Sequence, residues 1–342
     1  MLAALFKPQE GFLLKDIPSE ALKADEVRLK VEACGVCGSD RQVVRGEPAP
    51  PGTQFPLIMG HEISGTIIEI GQRNEEWQVG DQVIVFPFIN CGSCKACKNN
   101  QSNLCYRQTC IGYHRSGGFA EEVIVPIAQI IRRPKSIDPA SAALLVDAFA
   151  TPYHAMRLSN IKASDSLLVI GTGGLGQAAL RLRHGFDLES LAIVSRRKSS
   201  VEVPSDCELF TYSEGEIRQL TRKLRRWSGT GGIDVVLDTV GSSETVALAM
   251  DAVRPGGTVT VIGMSMDAVN IPIAKTVRRG LRLLTSFGSV KSDIVELLDL
   301  VENKKLDPKS LIAGTVSLKD VETPFSEQRA SGRWIIQPHD GH

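Results

Sequence analysis

Two rhythms of apolar and polar positions divide the chain. Up to about residue 145, short segments such as 26–32, 65–70 and 82–86 alternate apolar with polar side chains and are broken by glycine, proline and charged turns. Successive side chains of a strand point to opposite faces, so this alternation predicts a β-rich region. From about residue 166 the apolar runs become short and continuous, at 166–170, 191–195, 234–238, 258–262 and 281–286. Helix-like periods at 177–183, 216–227 and 243–253 lie between several of them. Strand, helix, strand repeated in this way predicts a parallel, doubly wound α/β sheet. No internal repeat and no low-complexity segment interrupts either half.

Length agrees with two regions, since 342 residues with 42% hydrophobic side chains exceed one ordinary core. Lysine plus arginine and aspartate plus glutamate are both 39, and aromatic residues make up 5%. That balance argues against a nucleic-acid or anionic-membrane partner, and a zinc-ribbon nucleic-acid binder would want a basic face and stacking rings. The apolar run at Met1 to Phe6 is too short for a signal peptide, and no stretch approaches the length of a bilayer span. A reducing cytoplasm is therefore expected.

Four of the eight cysteines, Cys91, Cys94, Cys97 and Cys105, fall at spacings of two, two and seven intervening residues. Such spacing predicts a closed tetrathiolate zinc site, because tight turns bring four soft ligands into a tetrahedron without a surrounding core. A pair of disulfides would need an oxidising compartment. In the second half, Leu168-Val169-Ile170 leads into Gly171-Thr172-Gly173-Gly174-Leu175-Gly176. Glycines between a strand and a helix allow a tight turn and a close backbone approach, so a pyrophosphate can rest on the helix N-terminus. At the end of the next strand, where a carboxylate would hold ribose hydroxyls, stand Ser195, Arg196 and Arg197. A hydroxyl and guanidinium groups suit a 2′-phosphate and hence NADP(H), although a solvated charge run would read the same.

A second group of metal-type residues comprises Cys34-Gly35-Val36-Cys37-Gly38-Ser39-Asp40, Gly60-His61-Glu62 and Asp147. A catalytic zinc site needs three protein ligands and an open position. These segments, the four-cysteine loop and the glycine turn occur in the order and spacing of the zinc-dependent medium-chain alcohol dehydrogenases, and the chain resembles that family over essentially its whole length.

The resemblance implies a GroES-like β-rich catalytic domain from residues 1–149 and 289–342, a Rossmann domain from 150–288, and an active site in the cleft. It makes Cys37, His61 and Asp147 the catalytic zinc ligands, with Glu62 beside the metal or paired to an arginine such as Arg333, and Ser39 the hydroxyl that accepts the substrate proton. Asp40 either orients ligands or caps a turn. Thr151 and Gly263 fall beside the nicotinamide, Arg333 near the cofactor phosphates, and Cys110 along the substrate cleft.

Two departures stand out. Many relatives carry a histidine where this chain has Gln42, which does not titrate near neutrality. Residues 198–204, with Pro204, replace most of the helix expected between the second and third strands. The chain is thus expected to be an alcohol dehydrogenase of NADP(H) with two zinc ions per chain, acting on small molecules and forming a homodimer or homotetramer. A polyol or sugar dehydrogenase of the same superfamily, or a catalytically inactive NADP(H)-binding relative, is the alternative.

Overall fold

The computed structural model describes residues 1–72, 75–196, 203–213, 215–229, 231–326 and 332–339. Contacts group the chain into two units, Met1–Ala148 with Val290–His342 and Phe149–Ser289. The first unit begins with a hairpin of β1 (Leu2–Lys7) and β2 (Gly11–Asp16), followed by β3 (Glu26–Val36) and the short helix α1 (Gly38–Val44). Then come β4 (Leu57–Ile58), β5 (Glu62–Ile70), β6 (Gln82–Val85), β7 (Phe88–Ile89), the single turn α2 (Lys95–Lys98), β8 (Thr109–Cys110), β9 (Glu122–Pro126), β10 (Ile130–Arg132) and α3 (Pro139–Leu144).

The second unit opens on α4 (Ala150–Leu158) and alternates thereafter: β11 (Ser166–Ile170), α5 (Gly174–Arg181), β12 (Ser190–Ser195), β13 (Cys207–Thr211), α6 (Ile217–Trp227), β14 (Ile233–Asp238), α7 (Ser243–Ala252), β15 (Val253–Val261), α8 (Ile273–Arg279) and β16 (Arg282–Thr285). The strands form a six-stranded sheet in the order β13-β12-β11-β14-β15-β16, and every pairing is parallel. Strand order therefore reverses between β11 and β14, which is where open sheets of this kind leave a crevice at the carboxyl ends. Leu168, Val236 and Val259 anchor its buried cluster, each fully buried aliphatic side chain contributing about 1.5–3 kcal/mol. Among the described residues between β12 and β13 there is no helix. Residues 197–202, which include Arg197, lie outside the described residues.

The chain then returns to the first unit with α9 (Lys291–Glu302), β17 (Ile312–Ser317), α10 (Thr323–Ser326) and β18 (Arg333–Gln337). β18 pairs with β3, so the main sheet of this unit runs β10-β6-β5-β3-β18-β17, with β9 also on β3. β3 is buried along most of its length, and α3 packs against it and β5. This strand outruns the predicted 26–32 because burial continues through Ala33, Cys34 and Val36. Its far end delivers Cys37.

Candidate active site and metal centres

Cys37 stands at the N-cap of α1 with extended backbone, φ −78° and ψ 160°. Asp40, three residues on, accepts the Cys37 backbone N–H through Oδ2 at 2.9 Å and so fixes the turn. Opposite, Gly60 takes a φ of 92°. A Cβ there would meet Phe119 Cδ1 at 2.5 Å and Cys34 Sγ at 2.8 Å, so glycine is required to bring the chain into His61 and β5. Asp147 arrives on a π-helical turn, Leu145–Phe149, between α3 and α4. Such turns shift the register of side chains and often mark functional sites.

These three segments bring one donor atom each from Cys37, His61, Glu62 and Asp147 within 4.8 Å of one another. Cys37 Sγ lies 3.2 Å from Asp147 Oδ2, and His61 Nε2 lies 4.0 Å from the same oxygen. Metal bonds of about 2.0–2.3 Å in a tetrahedron place ligand atoms roughly 3.3–3.8 Å apart, so thiol, imidazole and carboxylate suit one zinc ion. His61 Nδ1 faces Asp40 Oδ1 at 3.6 Å, which leaves Nε2 for the metal side.

Electrostatics favour a cation in this space. Glu62 is fully buried, its two oxygens and His61 Nδ1 lack hydrogen-bond partners among the described residues, and Arg333 Nη2 stands 3.3 Å from Glu62 Oε1. Burial drives the Glu62 carboxyl up to about 7, against the pull of Arg333 and with the push of Asp147. Burial opposes charge on His61, yet Asp40 and Cys37 outweigh it and raise the imidazole well above its ordinary value. Three carboxyl groups, Asp40, Glu62 and Asp147, thus crowd His61 and Arg333, and their mutual repulsion would be eased by a cation.

The four-cysteine loop gathers its sulfurs in the same way, with Cys91, Cys94, Cys97 and Cys105 all within 4.8 Å. Cys94 Sγ is 3.5 Å and Cys91 Sγ 4.0 Å from Cys97 Sγ, near the spacing around zinc and far from a disulfide bond of about 2.05 Å. Gly92 has a φ of 68°, whereas Lys95 and Ala96 lie in the single turn of α2. Backbone N–H groups of Cys94 and Cys91 donate to Cys91 Sγ and Cys105 Sγ, each at 3.4 Å. Backbone hydrogen bonds at Ser93 and Cys94 bring the Cys91 thiol down to about 5, ready to ligate as thiolate. No disulfide joins any of the eight cysteines, Cys34 and Cys37 included.

In the second unit the three glycines divide their labour. Gly171, with φ 102°, turns the chain, and a Cβ would fall 2.5 Å from Thr239 Oγ1. At Gly176 a Cβ would fall 2.0 Å from the Gly171 carbonyl oxygen, so helix and turn pack backbone to backbone. Gly173, the exposed N-cap of α5, has nothing within 4 Å of such a Cβ, and with Gly174 and Leu175 it leaves room for an anion at the positive end of the helix. Ser195 is buried at the end of β12 with its hydroxyl 3.5 Å from Thr172 Oγ1, and Arg196 beside it is exposed. Thr151 is buried on α4. Gly263 follows β15, where a Cβ would meet the Val240 carbonyl carbon at 2.2 Å.

Residues 23–135 match the alcohol dehydrogenase GroES-like domain, and residues 174–303 match the zinc-binding dehydrogenase domain. An alcohol dehydrogenase of Geobacillus stearothermophilus is 28% identical over 332 residues, 95% of each chain. The L-galactonate-5-dehydrogenase of Escherichia coli is 28% identical over 315 residues, 92% of this chain and 91% of that one. A zinc-binding dehydrogenase of Sinorhizobium meliloti, solved bound to NADP, superposes with a TM-score of 0.86 at 27% identity, covering 98% of this chain and 99% of the other. The chain belongs to the zinc-dependent medium-chain dehydrogenase family.

Within this dehydrogenase, both GroES-like and Rossmann regions are as the sequence led one to expect. Arg333, assigned by resemblance to the cofactor phosphates, is 4% exposed and turns its guanidinium to Glu62, to Asp147 Oδ2 at 3.4 Å and to the Val36 carbonyl at 3.4 Å. The pairing with Glu62, also open from the sequence, is the contact observed. Of the two roles left open for Asp40, the turn cap is the hydrogen bond observed, and its second oxygen faces His61 Nδ1 at 3.6 Å. Cys110 is buried with its thiol donating to the Ile111 carbonyl at 3.2 Å, and burial pushes it up to about 12. Two residues escaped sequence reasoning. Gly35 makes room for Glu62, whose Oε2 would sit 2.0 Å from a Cβ there; a glycine inside an otherwise apolar strand was the available signal. Tyr113 donates its hydroxyl to Asp40 Oδ1 at 3.3 Å, and a single tyrosine eight residues beyond Cys105 carried no signal at all.

Proposed function

We infer that the protein interconverts alcohols with aldehydes or ketones by hydride transfer to or from NADP(H), using one catalytic and one structural zinc ion. The observation that carries this reading is the convergence of Cys37, His61 and Asp147 from three separate segments. Bound there, zinc would acidify an alcohol hydroxyl and polarise a carbonyl, while the nicotinamide would accept or return the hydride. Cys37, His61 and Asp147 would hold the ion, and Asp40 would keep His61 in the tautomer and orientation that ligation needs. Ser39, at the start of α1, takes the hydroxyl proton. Arg333 offsets the charge of Glu62 and Asp147, and Glu62 would stand beside the metal as a further carboxylate donor. Gly171 to Gly176 would receive the pyrophosphate, and Thr151 and Gly263 would face the nicotinamide.

NADP(H) preference is supported by Ser195 and Arg196 at the end of β12, the position where a carboxylate would hold ribose hydroxyls, and by the NADP bound to the Sinorhizobium relative. A polyol or sugar acid as substrate has its own support, since the galactonate dehydrogenase is as similar as the alcohol dehydrogenase. A homo-oligomer is supported by the edge strand β16 and by exposed Met264, Met266, Ile273 and Val277 in the adjoining stretch. Eight free thiols suit a reducing compartment, and among the described residues no helix is long and apolar enough to cross a membrane.

The test is turnover over a panel of alcohols, polyols and carbonyls with both cofactors, alongside Ser39→Ala. A rate lowered roughly 10²-fold or more by Ser39→Ala is expected. No turnover with any substrate would leave the non-catalytic relative standing.

A further inference from the structure

Tyr113 has no place in the mechanism above, yet it touches the residues that shape the metal site. Its ring lies 5.5 Å from the His61 ring at a tilt of 32°, and the side chain is 4% exposed. Its hydroxyl donates to Asp40 Oδ1, the oxygen that also faces His61 Nδ1. Asp40 is fully buried, and its other oxygen is occupied by the Cys37 N–H. A carboxylate only accepts, so every donor aimed at it restricts how it turns.

The loop that presents Tyr113 is itself in fixed register with the turn before His61. Cβ atoms at Gly112 and Gly117 would fall 2.8 and 2.1 Å from the Gly60 carbonyl oxygen, and that same oxygen accepts the Gly118 N–H at 2.8 Å. Backbone packs on backbone here, and the phenol reaches Asp40 from a rigid base.

We propose that Tyr113 is a positioning residue whose hydroxyl holds Asp40 in the orientation that fixes the His61 ring, and thereby sets the affinity of the catalytic site for zinc. This rests on the assignment of Cys37, His61 and Asp147 as ligands. Removing an outer partner of a ligating histidine costs about 10–100-fold in metal affinity or activity. Tyr113 acts one contact further out, so Tyr113→Phe belongs at the low end, about tenfold.

Zinc affinities of the purified full chain, measured by competition with a chelator, decide the matter for wild type, Tyr113→Phe, Asp40→Asn and the double variant. The melting temperature of each metal-free protein is recorded alongside, since Tyr113→Phe removes one oxygen and keeps the ring against His61. The expected result is that Tyr113→Phe weakens one of two zinc sites about tenfold, spares the other and the melting temperature, lowers kcat more than it alters KM, and has no further effect once Asp40→Asn is present. Unchanged affinity and kcat would overturn the proposal, as would an equal loss in the Asp40→Asn background. A wild-type chain that binds zinc only at the four-cysteine loop would instead remove the ligand assignment itself, so the two failures are distinct.

Discussion

A buried carboxylate without hydrogen bonds is costly, and Glu62 is kept in this condition by Gly35, which clears its space, and Arg333, which faces it. Its carboxyl lies near 7 against an ordinary 4.5. The folded form therefore binds the proton more tightly than the unfolded one, so this contribution to stability is complete below pH 4.5 and is lost as pH rises through about 7. Metal-free protein should melt at falling temperature across that window, and Glu62→Gln should flatten the profile; a wild-type curve without the decline would show that Arg333 fully compensates the charge. Arg196 makes a separate case. A charge-assisted hydrogen bond to a phosphate is worth about 1.5–3 kcal/mol, so Arg196→Ala should weaken NADP(H) roughly 10- to 150-fold and spare NAD(H). Comparing kcat/KM for the two cofactors measures this, and equal losses would mean that Arg196 does not read the 2′-phosphate. The two clusters of metal-type side chains were legible because zinc chemistry restricts residue type. The contact of Tyr113 with Asp40 was not, since it depends on where distant segments meet, whereas the pairing of Arg333 with Glu62 was one of two readings the sequence left open.

Elements differ in how much of their shape their own residues declare. The glycine turn declared nearly everything, and its glycines lead to opposite expectations. Gly173→Ala adds a methyl into open space at an ordinary φ of −75°, so the protein should melt normally yet bind NADPH more weakly, by fluorescence titration. Gly176→Ala forces a methyl onto the Gly171 carbonyl, and overpacking of this sort costs about 1–3 kcal/mol or more, visible as a lower urea midpoint. Reversal of that pair would place the pyrophosphate elsewhere. By contrast the π-helical turn carrying Asp147 was illegible. Leu145-Val146-Asp147-Ala148-Phe149 would suit an ordinary helix equally well, and the extra residue per turn is set by tertiary packing. Strand ends shifted by a few residues for a related reason, as with β3, where burial from both faces extends the strand past its alternating part.

At the scale of the molecule, both metal-type clusters sit in the unit built from Met1–Ala148 and Val290–His342, so loss of metal should be felt there first. Cys94→Ser should release one zinc ion and lower the melting temperature, because structural zinc coordination is worth on the order of 10 kcal/mol in small domains, with less expected in a large one. Metal analysis with calorimetry checks this, and a variant that keeps both ions and its full stability would remove Cys94 from the ligands. The two-unit plan was legible because strand alternation and strand–helix alternation are different periods. The pairing of β18 with β3 was not, since no local period records a partner some 300 positions away.

That pairing gives the molecule a timetable. Arg333 hydrogen-bonds Val36 across 297 positions, whereas Cys37, His61, Glu62 and Asp147 are all synthesised in the first half of the chain. At about 5–20 residues per second, Glu62 and Asp147 wait roughly 10–55 s for their counter-charge. The Rossmann unit, Phe149–Ser289, is continuous in sequence, whereas the unit that carries the metal pocket needs both ends of the chain. Any ion captured early is captured by a pocket still lacking its arginine, and more strongly negative than the mature one.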